Sequence, residues 1–123
     1  MKITSFNPLI VSKDAESIIQ LFEDLGFEKT HTKTDIEGGE NVNVRMKDAN
    51  GFHVDVASSD YVPQDLLSIR INVDDFEKAY AFFLSRGFIN PRGDKITETS
   101  SSMDTYLISP SGFAVTLCHH LKK

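Results

Sequence analysis

Two residues of this sequence, His53 and Asp55, have side chains and a spacing that could support acid–base or metal chemistry. Residues two positions apart on a β-strand point to the same side, so an imidazole and a carboxylate can share a proton or hold one divalent ion. A structural hydrogen bond in a half-buried pocket would use the same residues at the same spacing. The surrounding elements must therefore decide between these interpretations.

The composition is that of one globular domain, with 123 residues, of which 40% are hydrophobic and 25% charged. The net charge of −5 and the lack of a basic stripe with interleaved aromatic residues argue against nucleic acid as a partner. No apolar run reaches the roughly 20 residues that span a membrane, and residues 1–8 do not resemble a signal peptide. Cys118 is the only cysteine, so no internal disulfide can form. We therefore expect a cytoplasmic protein without a membrane partner.

The chain contains the same unit twice, at an offset of 61 positions (75 − 14). The segment Asp14–Phe27 corresponds to Asp75–Phe88, because both open with Asp and end in Gly-Phe. At the same offset, Gly51–Val54 corresponds to Gly112–Val115. Two separate segments in one register indicate a tandem duplication. We predict a single domain that consists of two repeats and a linker, at residues 1–57, 67–123 and 58–66 respectively.

Each repeat has the pattern strand, helix, strand, strand, strand. The helices are amphipathic, and Gly26 and Gly87 stand where a left-handed cap ends a helix. The sequence Asp74-x-x-Glu77 predicts a capping box at the start of the second helix, with Asp74 as the cap. Alternating apolar and polar residues predict strands at Phe27–Lys33, Asn41–Lys47, Phe52–Ala57, Leu67–Val73, Phe88–Pro91, Asp104–Ser109 and Phe113–Cys118.

Two βαβββ modules in one short chain resemble the vicinal oxygen chelate superfamily, which includes glyoxalase I, extradiol dioxygenases and bleomycin-resistance proteins. The resemblance covers the whole chain. It depends on the helix that ends in Gly-Phe and on the glycine hairpin into each last strand. It implies an α+β fold in which the tandem modules form a curved, mixed eight-stranded sheet with a central cavity. By the same analogy we expect a homodimer, since small two-module members commonly dimerise.

In the metal-using members of that superfamily, a divalent ion chelates two neighbouring oxygens of the substrate and acts as a Lewis acid. The ligands come from one position on the first strand and one on the last strand of each module. The resemblance places these four positions at Asn7, Asp55, Ser68 and Thr116. Only Asp55 is a good ligand for a first-row divalent metal. We therefore expect no cofactor, and a divalent metal held by Asp55 and His53 is the alternative.

Strand alternation predicts which side chains share the cavity face with those four positions. Two of them are arginines, whose planar guanidinium suits a carboxylate or a phosphate. Arg45, Arg70 and Asp55 could equally pair only with one another, since charges that face inward need partners. The predicted ligand-binding cavity contains Asn7, Asn43, Arg45, His53, Asp55, Ser68, Arg70, Asn72, Tyr106 and Thr116.

These residues support functions of two classes. The first is a glyoxalase/bleomycin-resistance-like protein that binds a small anionic or polar molecule without the usual metal site. The second is a metal-dependent lyase, isomerase or dioxygenase of the same superfamily, with a rearranged ligand set around Asp55 and His53. A metal-free lyase or isomerase with His53 or Tyr106 as the acid–base group also stays open. Whether the protein is an enzyme is undecided at this level, and no catalytic residue is assigned.

Overall fold

The computed structural model of the protein describes residues 1–34, 42–60, 62–99 and 101–120, with the backbone alone at positions 33 and 34. In these ranges the elements are β1 (Ile3–Ser12), α1 (Ala15–Asp24), β2 (Glu28–Thr34), β3 (Val42–Lys47), β4 (His53–Ser58), β5 (Leu66–Val73), α2 (Phe76–Ser85), β6 (Thr97–Glu98), β7 (Ser102–Ile108) and β8 (Ala114–His120). The strands form a mixed eight-stranded sheet in the order β2-β3-β4-β1-β5-β8-β7-β6. The predicted α+β class is confirmed.

Contacts divide the chain into two compact units. The first unit is Asn7–Leu67, and the second unit combines Met1–Phe6 with Ser68–Lys123. Strand β1 therefore contributes its first residues to one unit and its later residues to the other. In the first unit β4 pairs with β1 in parallel and with β3 antiparallel, and in the second unit β8 pairs in the same way with β5 and β7.

The duplication extends to the pairing of the strands. In the first unit Asp55 lies opposite Leu9 on one side and Arg45 on the other. In the second unit Thr116 lies between Arg70 and Tyr106 in the same way. Each residue of the second set is 61 positions after its counterpart in the first, as the sequence offset predicts. The two units can therefore be compared row by row.

Each helix begins at an aspartate and ends near a glycine. Asp14 caps α1, because its carboxylate accepts from the Ser17 amide at 3.2 Å and from the Ser17 hydroxyl at 2.6 Å. Gly26 and Gly87 have φ of 104° and 88°, a backbone conformation that residues with a Cβ rarely adopt. This is the glycine cap predicted for the C-terminal end of each helix. In the described chain neither helix is long and apolar enough to cross a bilayer.

The cap of α2 is one residue later than predicted. Asp75, not Asp74, accepts a hydrogen bond from the Lys78 amide, at 3.1 Å. The Asp74 carboxylate instead accepts from the backbone amide of Lys2 at 2.6 Å, so the predicted capping box is wrong. The physical reason is that the Asp74 carboxylate has a competing partner, Lys2, which is distant in sequence, whereas Asp75 occupies the position equivalent to the cap of α1.

The predicted strand at Phe88–Pro91 is also wrong. Only Ile89 makes a bridge there, to Ile108, and the next strand is the two-residue β6. The proline at the end of the segment has no amide hydrogen to give to a ladder. In addition the Asn90 side chain accepts from the Arg92 amide at 3.0 Å and turns the chain. The other strands predicted from alternation are present, with ends that differ by at most two residues.

Each helix packs on one face of the strands of its own unit. The strand residues on the opposite face are therefore the ones available for a functional site. Burying an aliphatic or aromatic side chain stabilises the fold by about 1.5–3 kcal/mol, so each helix holds its strands in a fixed orientation. The first core consists of Ala15, Val44, Met46, Val54 and Val56. The second core consists of Ile71, Val73, Phe76, Ala79, Leu107, Val115 and Leu117. The alternate strand residues therefore lie on the opposite face, which we call the polar face of each unit.

Candidate functional site

The four positions at which the metal-using superfamily members carry ligands are all buried here. Asn7 and Asp55 are 4% and 0% exposed in the first unit, and Ser68 and Thr116 are 2% and 7% exposed in the second. The alternation of the strands places all four on the polar face of their unit, as predicted. What their side chains contact differs between the units.

In the first unit the buried carboxylate belongs to an ion pair. Arg45 faces Asp55 across the antiparallel β3–β4 ladder. Its Nε donates to Oδ1 at 3.0 Å and its Nη2 donates to Oδ2 at 3.1 Å. The Arg45 side chain is 28% exposed, whereas that of Asp55 is fully buried. Both carboxylate oxygens are therefore engaged by a bidentate fork, and the structure shows the internal pairing that was one interpretation of Arg45.

The other polar residue beside Asp55 on β4 does not join this pair. His53 is exposed, and among the described residues no hydrogen bond connects it to Asp55. Asn7 donates to the carbonyl of Pro8 at 3.0 Å, and Asn43 lies opposite Ala57 in the ladder. Within the described ranges, no group of three or more His, Cys, Asp or Glu side chains could hold a metal ion.

The second unit has hydroxyl groups at the equivalent positions. The Ser68 and Thr116 hydroxyls hydrogen bond to each other at 2.9 Å. Both residues are uncharged, so no ion pair is needed to stabilise them. Thr116 thus occupies, in the second unit, the place that Asp55 occupies in the first.

The polar face of β8 carries a row of small side chains. Ala114, Thr116 and Cys118 alternate there, and the neighbouring strands on either side carry longer side chains. Arg70 on β5 and Tyr106 on β7 both face Thr116, so the three form one row across the strands. We call this feature the β8 surface, with Arg70 and Tyr106 as its flanking residues. Both flanking residues are half-buried, in contrast to the small residues of β8.

The two flanking residues differ in charge. Burial raises the pKa of the Tyr106 phenol above its usual value, because desolvation disfavours the phenolate. At neutral pH Tyr106 is therefore a neutral hydroxyl that can donate a hydrogen bond. Arg70 carries a guanidinium cation. The row thus presents a fixed positive charge and a phenol donor on either side of a threonine.

Three polar residues lie near one end of this row, and only one of them, Asn72, was predicted from the sequence. Asn72 is 1% exposed and donates to the Ser5 hydroxyl at 2.7 Å, and its Oδ1 has no partner among the described residues. Asp104 lies opposite Cys118, in the same row as Asn72. Neither Ser5 nor Asp104 was predicted as a site residue. The alternation signal could have found both, because Ser5 is two residues before Asn7 and Asp104 is two before Tyr106.

The ten residues of the predicted cavity therefore fall into two groups of five, one on the polar face of each unit. The first unit contains Asn7, Asn43, Arg45, His53 and Asp55. The second unit contains Ser68, Arg70, Asn72, Tyr106 and Thr116.

Comparison with known proteins gives a likeness in fold and none in sequence. No family model and no curated protein sequence matches the chain. Methylmalonyl-CoA epimerase from Mycobacterium tuberculosis has a TM-score of 0.70 at 11% identity, over 98% of this chain and 90% of that chain. A glyoxalase/bleomycin resistance protein/dioxygenase superfamily member from Vibrio splendidus 12B01 has a TM-score of 0.61 at 18% identity, over 96% and 99% of the two chains.

Glyoxalase I from Zea mays has a TM-score of 0.69 at 16% identity. The match covers 98% of this chain but only 44% of the maize chain, so this protein spans less than half the length of that enzyme. At these identities the likeness establishes the architecture and nothing about chemistry. The chain therefore has the glyoxalase/bleomycin-resistance fold, as its two repeats predict.

Proposed function

We propose that the protein binds a small anionic molecule, a carboxylate or a phosphate, at the β8 surface of its second unit, without a metal ion. The observation that carries this proposal is the row Arg70–Thr116–Tyr106. In that row a permanent cation and a neutral hydroxyl donor stand on either side of a small side chain. An anion above Thr116 would lie between two groups that can donate hydrogen bonds to it.

Comparison of the equivalent rows supports the second unit over the first. In the first unit the guanidinium of Arg45 is bound at two points by a fully buried carboxylate, so a ligand anion would have to compete with Asp55. The residue equivalent to Asp55 is Thr116, which carries no charge. In the second unit the arginine, Arg70, is at the position of Leu9, on the other side of the row from the position of Arg45, and the residue between Arg70 and Tyr106 is the uncharged Thr116.

The expected strength follows from charge-assisted hydrogen bonds. A bond between a charged and a polar group contributes about 1.5–3 kcal/mol, and the partial burial of the two flanking residues limits screening by water. Arginine can give two such bonds to one carboxylate or phosphate. Loss of Arg70 should therefore weaken binding by about 10- to 150-fold.

The metal-dependent alternative has less support from the site. A metal ion at Asp55 would have to displace the Arg45 guanidinium from both carboxylate oxygens. In addition, no hydrogen bond among the described residues connects His53 to Asp55. We therefore propose the binding function rather than metal-dependent lyase, isomerase or dioxygenase chemistry for this chain.

The test is a thermal-shift and calorimetric titration with simple carboxylates and inorganic phosphate. We expect binding to the unaltered protein, a loss of at least tenfold in Arg70→Met, and no change in Arg86→Met. Arg86 is the matched control, because it is exposed and stacks on the Phe82 ring at 4.8 Å outside the β8 surface. Equal loss in both variants, or binding that requires added Zn²⁺ or Ni²⁺ and disappears with EDTA, would contradict the proposal.

A further inference from the structure

We infer that copies of this chain associate head to tail, through an acidic surface at the end of α1 in one copy and a basic surface at the end of α2 in the next. The inference concerns the helix ends and does not rest on the proposed anion site. It follows from a comparison of equivalent positions in the two repeats, which are 61 residues apart. Apolar side chains are exposed at both helix ends, and the charges beside them are opposite in sign.

The surface at the end of α1 consists of two exposed leucines beside two carboxylates. Leu21 and Leu25 are 50% and 64% exposed and lie one helical turn apart, because the Leu25 amide donates to the Leu21 carbonyl at 3.1 Å. Glu23 and Asp24 are exposed in the same last turn, which contains no basic residue. Carboxylates at this end of a helix oppose its dipole, so a cation from another molecule would be attracted here. We call these four residues the acidic end.

The equivalent surface of α2 is aromatic and basic. Phe82 and Phe113 are 41% and 51% exposed, and they are the two ends of a row of four rings in edge-to-face contact. The row is Phe82, Phe83, Phe88 and Phe113. The Arg86 guanidinium stacks on the Phe82 ring at 4.8 Å. Arg86 occupies the position equivalent to Leu25. We call Phe82, Arg86 and Phe113 the basic end.

The two ends are complementary in charge. Residues 21–27 carry a charge of −2 from Glu23 and Asp24, whereas residues 82–88 carry +1 from Arg86. Two ends of the same kind would bring like charges together, which opposes contact between identical surfaces. Contact between unlike ends brings Arg86 to the carboxylates and covers apolar side chains of both copies. Each copy has one end of each kind, so the contact is heterologous and each copy can bind one neighbour through each end.

The small size of the two ends determines how strong the contact can be. A few half-exposed side chains bury less than the about 800 Å² per partner that stable complexes bury. The association should therefore be weak and reversible, and it should depend on both protein concentration and salt.

The first measurement is sedimentation of the unaltered protein over a concentration series up to about 1 mM. We expect association that grows with concentration at about 0.01 M salt. It should weaken at least tenfold at about 1 M salt, because the screening length falls from about 30 Å to about 3 Å. A protein that stays monomeric throughout, or that associates equally at both salt concentrations, would overturn the inference.

The second measurement tests whether unlike ends meet. One variant reverses the acidic end by Glu23→Lys together with Asp24→Lys, and the other reverses the basic end by Arg86→Glu. Each variant alone should associate at least tenfold more weakly, because its two ends now carry like charges. An equimolar mixture should regain association, because the intact basic end of the first variant meets the intact acidic end of the second.

The matched controls are Glu16→Lys and Lys78→Glu, which reverse exposed charges in the first turns of the same two helices. We expect both to associate like the unaltered protein. If the mixture of end variants, shown to be folded by their melting curves, does not regain association, the contact joins other surfaces and the inference is wrong. It is equally wrong if the controls weaken association as much as the end variants, since overall charge would then be the cause.

Discussion

Replacement of the Arg45–Asp55 ion pair by its counterpart from the other repeat gives the sharpest test of how the two units differ. The variants are Arg45→Tyr, Asp55→Thr and the double variant, which copies Tyr106 and Thr116 at the same register. Arg45→Tyr leaves a fully buried carboxylate without its cation, which should cost about 3–5 kcal/mol of unfolding free energy. Asp55→Thr leaves an arginine that is 28% exposed and can turn to water, so it should cost less, about 1–3 kcal/mol.

The double variant should be more stable than Arg45→Tyr alone. It leaves no buried charge, and the second unit already accommodates these two residues at this register, so we expect a cost of about 1–2 kcal/mol. The assay is urea unfolding followed by circular dichroism. With a slope of about 2 kcal/mol per M, the midpoint should fall by about 1.5–2.5 M in Arg45→Tyr and by under about 1 M in the double variant. The costs of the two single changes sum to about 4–8 kcal/mol, so the coupling between the two sites would be at least about 2 kcal/mol.

Two results would refute this reasoning. If the costs of the single changes simply add in the double variant, the two side chains are not coupled and the observed fork does not stabilise the unit. If Arg45→Tyr costs less than about 1 kcal/mol at neutral pH, the Asp55 carboxylate is not as isolated from water as its burial indicates.

Two further predictions concern the helix ends. Gly87→Ala should destabilise the protein more than Gly26→Ala, by a further 1–3 kcal/mol or so in urea unfolding, because both have positive φ but only at Gly87 would a Cβ approach Pro110, at 2.9 Å. Equal costs would show that the proline moves aside. The hydrogen bonds from Ser17 lower the pKa of Asp14, so the stability from this cap is present above the usual aspartate pKa and is lost as pH falls through the lowered value. The melting temperature should therefore drop less with acid in Asp14→Asn than in the unaltered protein, and identical pH profiles would contradict this.

Much of the architecture was predictable because it depends on local patterns. The alternation of apolar residues gave the strands and their faces, and the 61-residue offset carried the register of one unit onto the other. The misplaced strand at Phe88–Pro91 shows the limit of this approach. Its apolar pattern is strand-like, but the Asn90 side chain accepts from the nearby Arg92 amide and donates to the Thr105 hydroxyl, 15 residues later. These bonds compete with the ladder, and the apolar alternation does not reveal them.

The strand faces on which the candidate residues lie were predictable, but the pairing of their side chains was not. Alternation placed Arg45, Asp55, Arg70 and Tyr106 on the polar faces, as the cross-strand partners confirm. It could not decide whether an arginine serves a ligand or an internal carboxylate, because that depends on which side chain lies directly opposite. For Arg45 the residue opposite is Asp55, and a fork forms. For Arg70 the residue opposite is Thr116, whose uncharged hydroxyl cannot form an ion pair.

The division of β1 has a consequence for biosynthesis. All residues of the unit Asn7–Leu67 are contiguous, so its pairings can form while the rest of the chain is still being made. The other unit joins Met1–Phe6 to Ser68–Lys123, and its central strand β8 is near the end of the chain. The described hydrogen bonds of Lys2 and Ser5 go to Asp74 and Asn72, so these first residues wait for partners that are made only after the whole of the first unit. A ribosome that stalls before Ala114 would release a chain without β8, whose Val115 and Leu117 belong to the core under α2. The apolar face of α2 would then be exposed, which is the type of surface that chaperones bind.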